Sequence, residues 1–238
     1  MIISAALLLL ASAGLAGEPT SLPLLPPPTQ PITVELVVSR FEKLDKDLNS
    51  LSADFTQSVE WQASGTAQKV AGRVEFRKPD LLRLEHELPE AQTLVSDGTW
   101  LWIYRPSTDQ VIKTRFADWK KSEPMAQGLL DFGNYARLLK SYDASISSVT
   151  APDKDGQREV SLTLRPKQKD QAGDFALILR LSTRDYFPAV TDLRAGGVTV
   201  HTSFSNIRYN PALPDSRFRF TPPPGADVFD NVKPPKGK

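Results

Sequence analysis

The sequence predicts a mainly β fold with a few helices: one curved, antiparallel sheet of about eleven strands in a single domain. Three observations lead there. From Leu51 onward, apolar and polar residues alternate with a period of two over short runs. Gly, Pro, Asp and Ser break those runs at close intervals, leaving no room for the helical crossovers that parallel strands need. Only the stretches 33–49 and 117–141 carry helical spacing instead. At 238 residues the chain is long enough for one sizeable core.

Residues 1–16 read as a secretory signal peptide. An apolar run from Ile2 to Leu10 leads into Ala11-Ser-Ala-Gly-Leu-Ala16, with cleavage expected after Ala16 or Ala13. The run lacks a preceding Lys or Arg, and it is too short to span a bilayer as a helix. Residues 17–31 hold Pro19, Pro23, Pro26, Pro27, Pro28 and Pro31, which favour an extended tether over helix or strand. The folded domain is expected over 32–230, with a flexible tail at 231–238.

Within that domain, Val34, Val37, Val38, Phe41, Leu44 and Leu48 recur at spacings of three and four, with Thr33 placed to cap an amphipathic helix. Strands are predicted near 51–61, 68–77, 81–86, 91–96, 99–104 and 109–115. Ser64-Gly65, Pro79-Asp80, Pro89, Asp97-Gly98 and Pro106-Ser107 separate them. Asp97-Gly98 is a strong signal for a tight hairpin. The 117–141 stretch suits one or two short helices, begun by Pro124 and interrupted by Gly128 and Gly133. Strands resume near 143–150, 157–166, 174–182, 188–194 and 198–209, turning at Asp155-Gly156, Ala172-Gly173 and Gly196-Gly197.

Composition excludes several classes of function. Net charge is +1 with both signs interleaved, so no basic face offers itself to nucleic acid. The absence of cysteine removes thiolate chemistry, disulfides and Cys-based zinc sites, and no spacing of other ligands suggests a metal. No cofactor is expected. The two histidines, His86 and His201, both lie in strand patterns without a nucleophile turn or phosphate loop beside them, and read as packing or surface residues. No catalytic residue is assigned.

The strand patterns put Phe55, Gln57 and Val59 on one face, Val74, Phe76 and Lys78 together, and Leu82 with Leu84. Periodicity alone favours an ordinary sandwich core. Lys78 is the exception, a charge continuing an apolar face at a strand end, where it either snorkels to water or donates to carbonyls of a covering element. Trp100, Trp102 and Tyr104 share one face of a strand whose other face carries Leu101 and Ile103, so both faces are apolar.

The ordered set of Phe55-Thr-Gln57, Gly72 through Pro79, Leu94-Val-Ser-Asp-Gly98, Leu101-Trp-x-Tyr104, Gln110 and Phe218-Arg-Phe-Thr-Pro-Pro-x-Gly225 resembles the LolA family of periplasmic lipoprotein carriers. The resemblance covers about Val34 to Asp230. It implies an unclosed antiparallel barrel with helices as a lid over a hydrophobic cavity that takes lipoprotein acyl chains. It places Phe55, Val59, Phe76, Leu82, Leu84 and Leu94 on the cavity side, Met125, Leu129 and Leu130 on the lid, and Lys78 as a lid latch. The family commonly has Arg before this Pro; lysine keeps the charge and loses the planar fork.

Implied partners are an inner-membrane ABC transporter that releases lipoproteins and the outer-membrane acceptor LolB or an equivalent, with a monomeric carrier between them in the Gram-negative periplasm. LolB is anchored through an N-terminal cysteine, which this chain lacks. The competing readings are a lipid- or lipoprotein-sensing regulatory domain on the same half-barrel, a lipid hydrolase dependent on His86 or His201, and a filled β-sandwich.

Overall fold

The computed structural model describes residues 22, 24–122, 132–167 and 174–231. Helix α1, Val34–Asp47, begins at Thr33, whose Oγ1 accepts the Leu36 N–H at 3.2 Å. Glu35 in its first turn and Lys46 in its last complement the helix dipole. Its apolar stripe, Val37, Phe41 and Leu44, is buried.

Twelve strands follow among the described residues: β1 Ser50–Trp61, β2 Thr66–Arg77, β3 Leu81–Leu88, β4 Gln92–Asp97, β5 Trp100–Arg105, β6 Gln110–Arg115, β7 Tyr142–Val149, β8 Glu159–Pro166, β9 Ala176–Ser182, β10 Val190–Ala195, β11 Val198–Tyr209 and β12 Asp227–Asp230. They form one open sheet in the order β12-β6-β5-β4-β3-β2-β1-β11-β10-β9-β8-β7. Helix α2, Phe116–Ser122, follows β6, and α3, Tyr135–Lys140, precedes β7.

All the pairings are antiparallel except β12 on β6. This parallel strand is the one that the period-two pattern does not predict. It has four residues, all exposed, so no alternation of burial marks it. Backbone pairing of Val228 with Val111 and Phe229 with Ile112 makes it a strand.

Register explains how one face becomes continuous. Leu51, Ala53 and Phe55 on β1 stand opposite Phe76, Val74 and Gly72 on β2. Phe76 and Val74 in turn face Leu82 and Leu84 on β3, and Leu84 faces Leu94 on β4. On the other side, Phe55 and Val59 pair with Phe204 and Val200 on β11. The row continues through Leu193, Leu177 and Leu164. The sheet therefore has one apolar inner surface, not the two facing sheets of a sandwich.

Gly72 is required where the register shifts between Ala71 and Gly72. A Cβ there would lie 2.0 Å from the Glu85 carbonyl oxygen, closer than any side chain tolerates. Such an irregularity bends the strand and adds twist, which helps the sheet curl without closing.

The outer face of β2–β5 is covered by the chain after β11. A short 3-10 turn, Asp215–Phe218, buries Phe218, with the Arg77 guanidinium 5.3 Å from its ring centre. Arg77 also bonds Asp215 at 2.5 Å and the Leu213 carbonyl at 2.8 Å. Arg217 reaches Glu75 at 2.7 Å, and Phe220 packs near Trp102 and Tyr104 with ring centres 6.4 and 5.9 Å away. This accounts for the apolar character of both faces of β5: Leu101 is buried on the inner surface, Trp102 and Tyr104 carry Phe220 of the C-terminal strap, and Trp100 lies under Lys113 and Arg115.

The described part of the Pro-rich segment has no regular secondary structure, and it lies against the domain. Leu22 is only 8% exposed within the core cluster. The Leu25 N–H donates to the Arg184 carbonyl at 2.9 Å, and its own carbonyl accepts from Gln157 at 3.1 Å.

Candidate functional site

The inner surface of the sheet is the candidate site. Phe55, Val59, Phe76, Leu82, Leu84 and Leu94 are all buried there. Met125, Leu129 and Leu130 lie outside the described residues. Phe132, immediately after that segment, is fully buried and sits on the inner surface among three aromatic residues. Its ring centre lies 5.6 Å from Phe76, 5.8 Å from Phe204 and 6.5 Å from Phe187, nearly parallel to the last. Offset and edge contacts of this kind are favourable beyond simple area burial.

These rings fill space that an apolar ligand would otherwise take. The cleft lined by Phe76, Pro79, Asp80, Leu82, Phe116, Lys120, Phe132 and Asn134 has a volume of about 10 Å³. That is room for about one water, against roughly 300–1,000 Å³ for ordinary ligand pockets.

Phe132 is held by a tie of three elements. Lys78, at the end of β2, donates from Nζ to the Asp45 main-chain oxygen in the last turn of α1. A cation is favoured there by the helix dipole. The Asp45 carboxylate faces the other way, accepting the N–H of Tyr135 at 2.9 Å and of Ala136 at 2.8 Å. Asn134 occupies the N-cap position of α3 without supplying its side chain as a cap, and Asp45 does so from α1. Gly133, at φ +71°, leaves space for the Lys78 stem; a Cβ there would be 2.7 Å from Cε. The family resemblance puts the partner of Lys78 on the lid, whereas its partner among the described residues is α1.

A row of polar side chains crosses the apolar surface on three adjacent strands. Gln57 on β1 stands opposite Thr202 on β11, and Thr202 opposite Thr191 on β10. Gln57 Nε2 donates to Thr202 Oγ1 at 3.0 Å. Thr191 Oγ1 is buried without a hydrogen-bond partner among the described residues. Sequence reading places Gln57 on this face; its bond to Thr202 comes from a strand 145 residues away, which no local signal reveals.

The two histidines stand on opposite faces. His86 is on the inner surface opposite Gly72, its ring edge-on to Phe55 with centres 5.7 Å apart. Burial pushes its pKa below the ordinary 6.5, with a smaller opposing effect from Gln92. His201 is on the outer face, with Nδ1 2.6 Å from Asp192, which also binds Arg180 at 2.6 Å. A single hydrolytic centre cannot use both. Among the described residues, no group of three or more metal-ligating side chains comes together.

On the inner side of the β11 end, Tyr209 donates to Asp185 at 2.7 Å and packs on Phe187 at 5.7 Å. Burial and the Asp185 charge push the phenol pKa up, so it remains a neutral donor.

Residues 46–221 match the family model described as "Outer membrane lipoprotein carrier protein LolA". This chain belongs to the LolA family. Relatives named "Outer-membrane lipoprotein carrier protein" bear this out. One from Albidiferax ferrireducens is 34% identical over 198 residues, covering 77% of this chain and 86% of its own. One from Pseudomonas aeruginosa PAO1 is 31% identical over 196 residues, covering 81% and 86%. A solved structure of a LolA superfamily protein from Nitrosomonas europaea aligns at a TM-score of 0.41 with 12% identity, covering 80% of this chain and 99% of that one. Similarity at that level adds nothing to the assignment. The match runs from the last two residues of α1 into the outer-face strap; it takes in Lys78 and β1 through β11, while Asp45 lies just before it.

Proposed function

We propose that this chain carries acylated lipoproteins across the periplasm, holding their acyl chains against the inner surface of the sheet. The observation that carries this reading is the continuous apolar face from β4 across to β8, filled at its centre by Phe132. Family membership supplies the class of cargo: the relatives are lipoprotein carriers by name.

Physical chemistry sets the requirement. A buried methylene is worth about 0.8 kcal/mol, so a sixteen-carbon chain in water costs roughly 12 kcal/mol. A lipidated protein crossing an aqueous space needs that surface covered. The protein must also release its load, and Phe132 provides the opposing tendency, because its ring regains its aromatic contacts when the acyl chain leaves. Lys78 and Asp45 then act as the latch of the closed state, coupling β2, α1 and α3. An inner-membrane ABC transporter would load the carrier, and LolB or an equivalent acceptor would unload it. The carrier works as a monomer without a cofactor, and it binds without turning its ligand over.

The test uses an environment-sensitive apolar dye with the mature protein. An acylated lipoprotein should displace the dye, and its unacylated form should not. Equal displacement by both, or no dye binding, contradicts the reading.

A further inference from the structure

The polar row on the inner surface has no place in a site that only holds hydrocarbon. Gln57, Thr202 and Thr191 occupy one level on three adjacent strands, β1, β11 and β10. The levels on either side are apolar: Phe55 with Phe204, and Val59 with Val200, Leu193 and Leu177. Thr202 is 2% exposed and Thr191 1% exposed. Burying a hydroxyl without a partner costs on the order of 1–3 kcal/mol, and valine would fit a strand equally well. Thr191 Oγ1 nevertheless has no partner among the described residues.

The row has protons to donate, beside the acceptor oxygens of the Gln57 amide and the two hydroxyls. Gln57 spends one amide N–H on Thr202 and has a second. Thr202 accepts that bond and keeps its own hydroxyl proton to give, as does Thr191. No formal charge belongs to the row. Asp192, the neighbour of Thr191, points to the outer face, where it is taken by Arg180 and His201. A set of neutral donors in apolar surroundings suits a neutral acceptor. A free carboxylate would find no counter-charge here, and an alkyl chain would find nothing to accept the donated protons.

The row also lies where an incoming chain would pass. Thr202 is two residues from Phe204 on the same face of β11, about 7 Å by the rise of a strand. Phe204 is one of the rings that hold Phe132. Withdrawal of Phe132 would open the path to this level.

We infer that Gln57, Thr202 and Thr191 form a subsite for the ester carbonyl of a long-chain acyl group, so that the protein distinguishes acyl esters from plain hydrocarbon. The inference rests on the carrier reading and adds the recognition of the ester linkage to it. Thr191 is the residue committed to it, because its hydroxyl serves no bond among the described residues.

The experiment compares two synthetic lipopeptides in displacing an apolar dye. One carries a cysteine with a dipalmitoylglyceryl group, and the other has two hexadecyl ethers in place of the esters. The wild-type protein should bind the ester form about tenfold more tightly, the effect of one or two net hydrogen bonds. Thr191→Val should bring the ratio to within about twofold of one. Thr191→Ser, which restores a hydroxyl, should recover most of it, and Gln57→Leu should reduce it. Equal affinity for the two lipids in the wild type overturns the subsite and leaves the carrier reading standing, as does a preference that survives both Thr191→Val and Gln57→Leu. Failure of both lipids to bind overturns the subsite together with the carrier reading.

Discussion

Lys78 and Asp45 are joined through the main chain: the lysine ammonium donates to the Asp45 carbonyl, which leaves the Asp45 carboxylate to cap α3. One residue of α1 thus connects the end of β2 to the helix that follows Phe132. Displacement of either partner loosens the other two elements, and this is the physical basis for a latch.

Replacing Asp45 by Ala removes the cap on α3 and leaves the carbonyl in place. The expected loss is about 1 kcal/mol of unfolding free energy, typical of a helix cap. Replacing Lys78 by Met leaves that carbonyl without its charged donor and should cost roughly 1.5–3 kcal/mol. Urea unfolding measures both. In a cargo-retention assay both variants should release acylated ligand faster than Lys78→Arg, which keeps a donor. Equal retention in all three removes the latch role.

Gly133 offers a second handle on the same tie. Its φ of +71° and the 2.7 Å approach of a Cβ to Lys78 Cε both oppose a side chain. Gly133→Ala should cost about 1–3 kcal/mol in denaturant unfolding, as strained positions do. A neutral outcome would mean that the Lys78 stem does not lie where Gly133 leaves room for it.

Phe132→Ala separates stability from capacity. Losing a fully buried phenylalanine should destabilise the fold by about 3–5 kcal/mol. The vacated space on the inner surface should increase dye binding over wild type in the folded fraction. Lower stability without added dye binding would identify Phe132 as ordinary core.

His86 gives the pH dependence a sign. Its folded pKa lies below the ordinary 6.5 because burial disfavours the charged ring. The unfolded chain therefore binds a proton first as pH falls below 6.5. Its contribution to stability is fully present above that value and is lost progressively as pH descends to the folded pKa. His86→Gln should flatten this part of the stability profile, measured as thermal midpoint against pH; an unchanged slope would assign it to other groups.

The period-two runs and their Gly and Pro punctuation made β1 through β11 legible, because each strand has one buried face and one solvated or strapped face. Thr33 was legible as a cap because the signal is local. β12 was not, since four exposed residues paired only through their backbone leave no pattern. The inward direction of Lys78 followed from strand parity, but its partner did not: Asp45 is 33 residues away and offers a main-chain atom. Arg77 points outward by the same parity, and what it meets there, Asp215 and Phe218, is set by the long return of the chain. The motif at 218–225 was visible through its resemblance to the family, while its role as an outer-face strap required the register of the sheet. Leu22 shows the opposite failure. A Pro-rich context reads as a tether, and nothing local indicates that one leucine within it reaches the core.

The most direct test asks which face of the sheet meets the acyl chains. A photo-crosslinking residue is placed at Leu84 on the inner face or at neighbouring Arg83 on the outer one, and each protein is loaded with an acylated lipoprotein. The carrier account predicts crosslinks to the lipid from position 84 and none from position 83. Crosslinks from 83 alone, or equally from both, would contradict it.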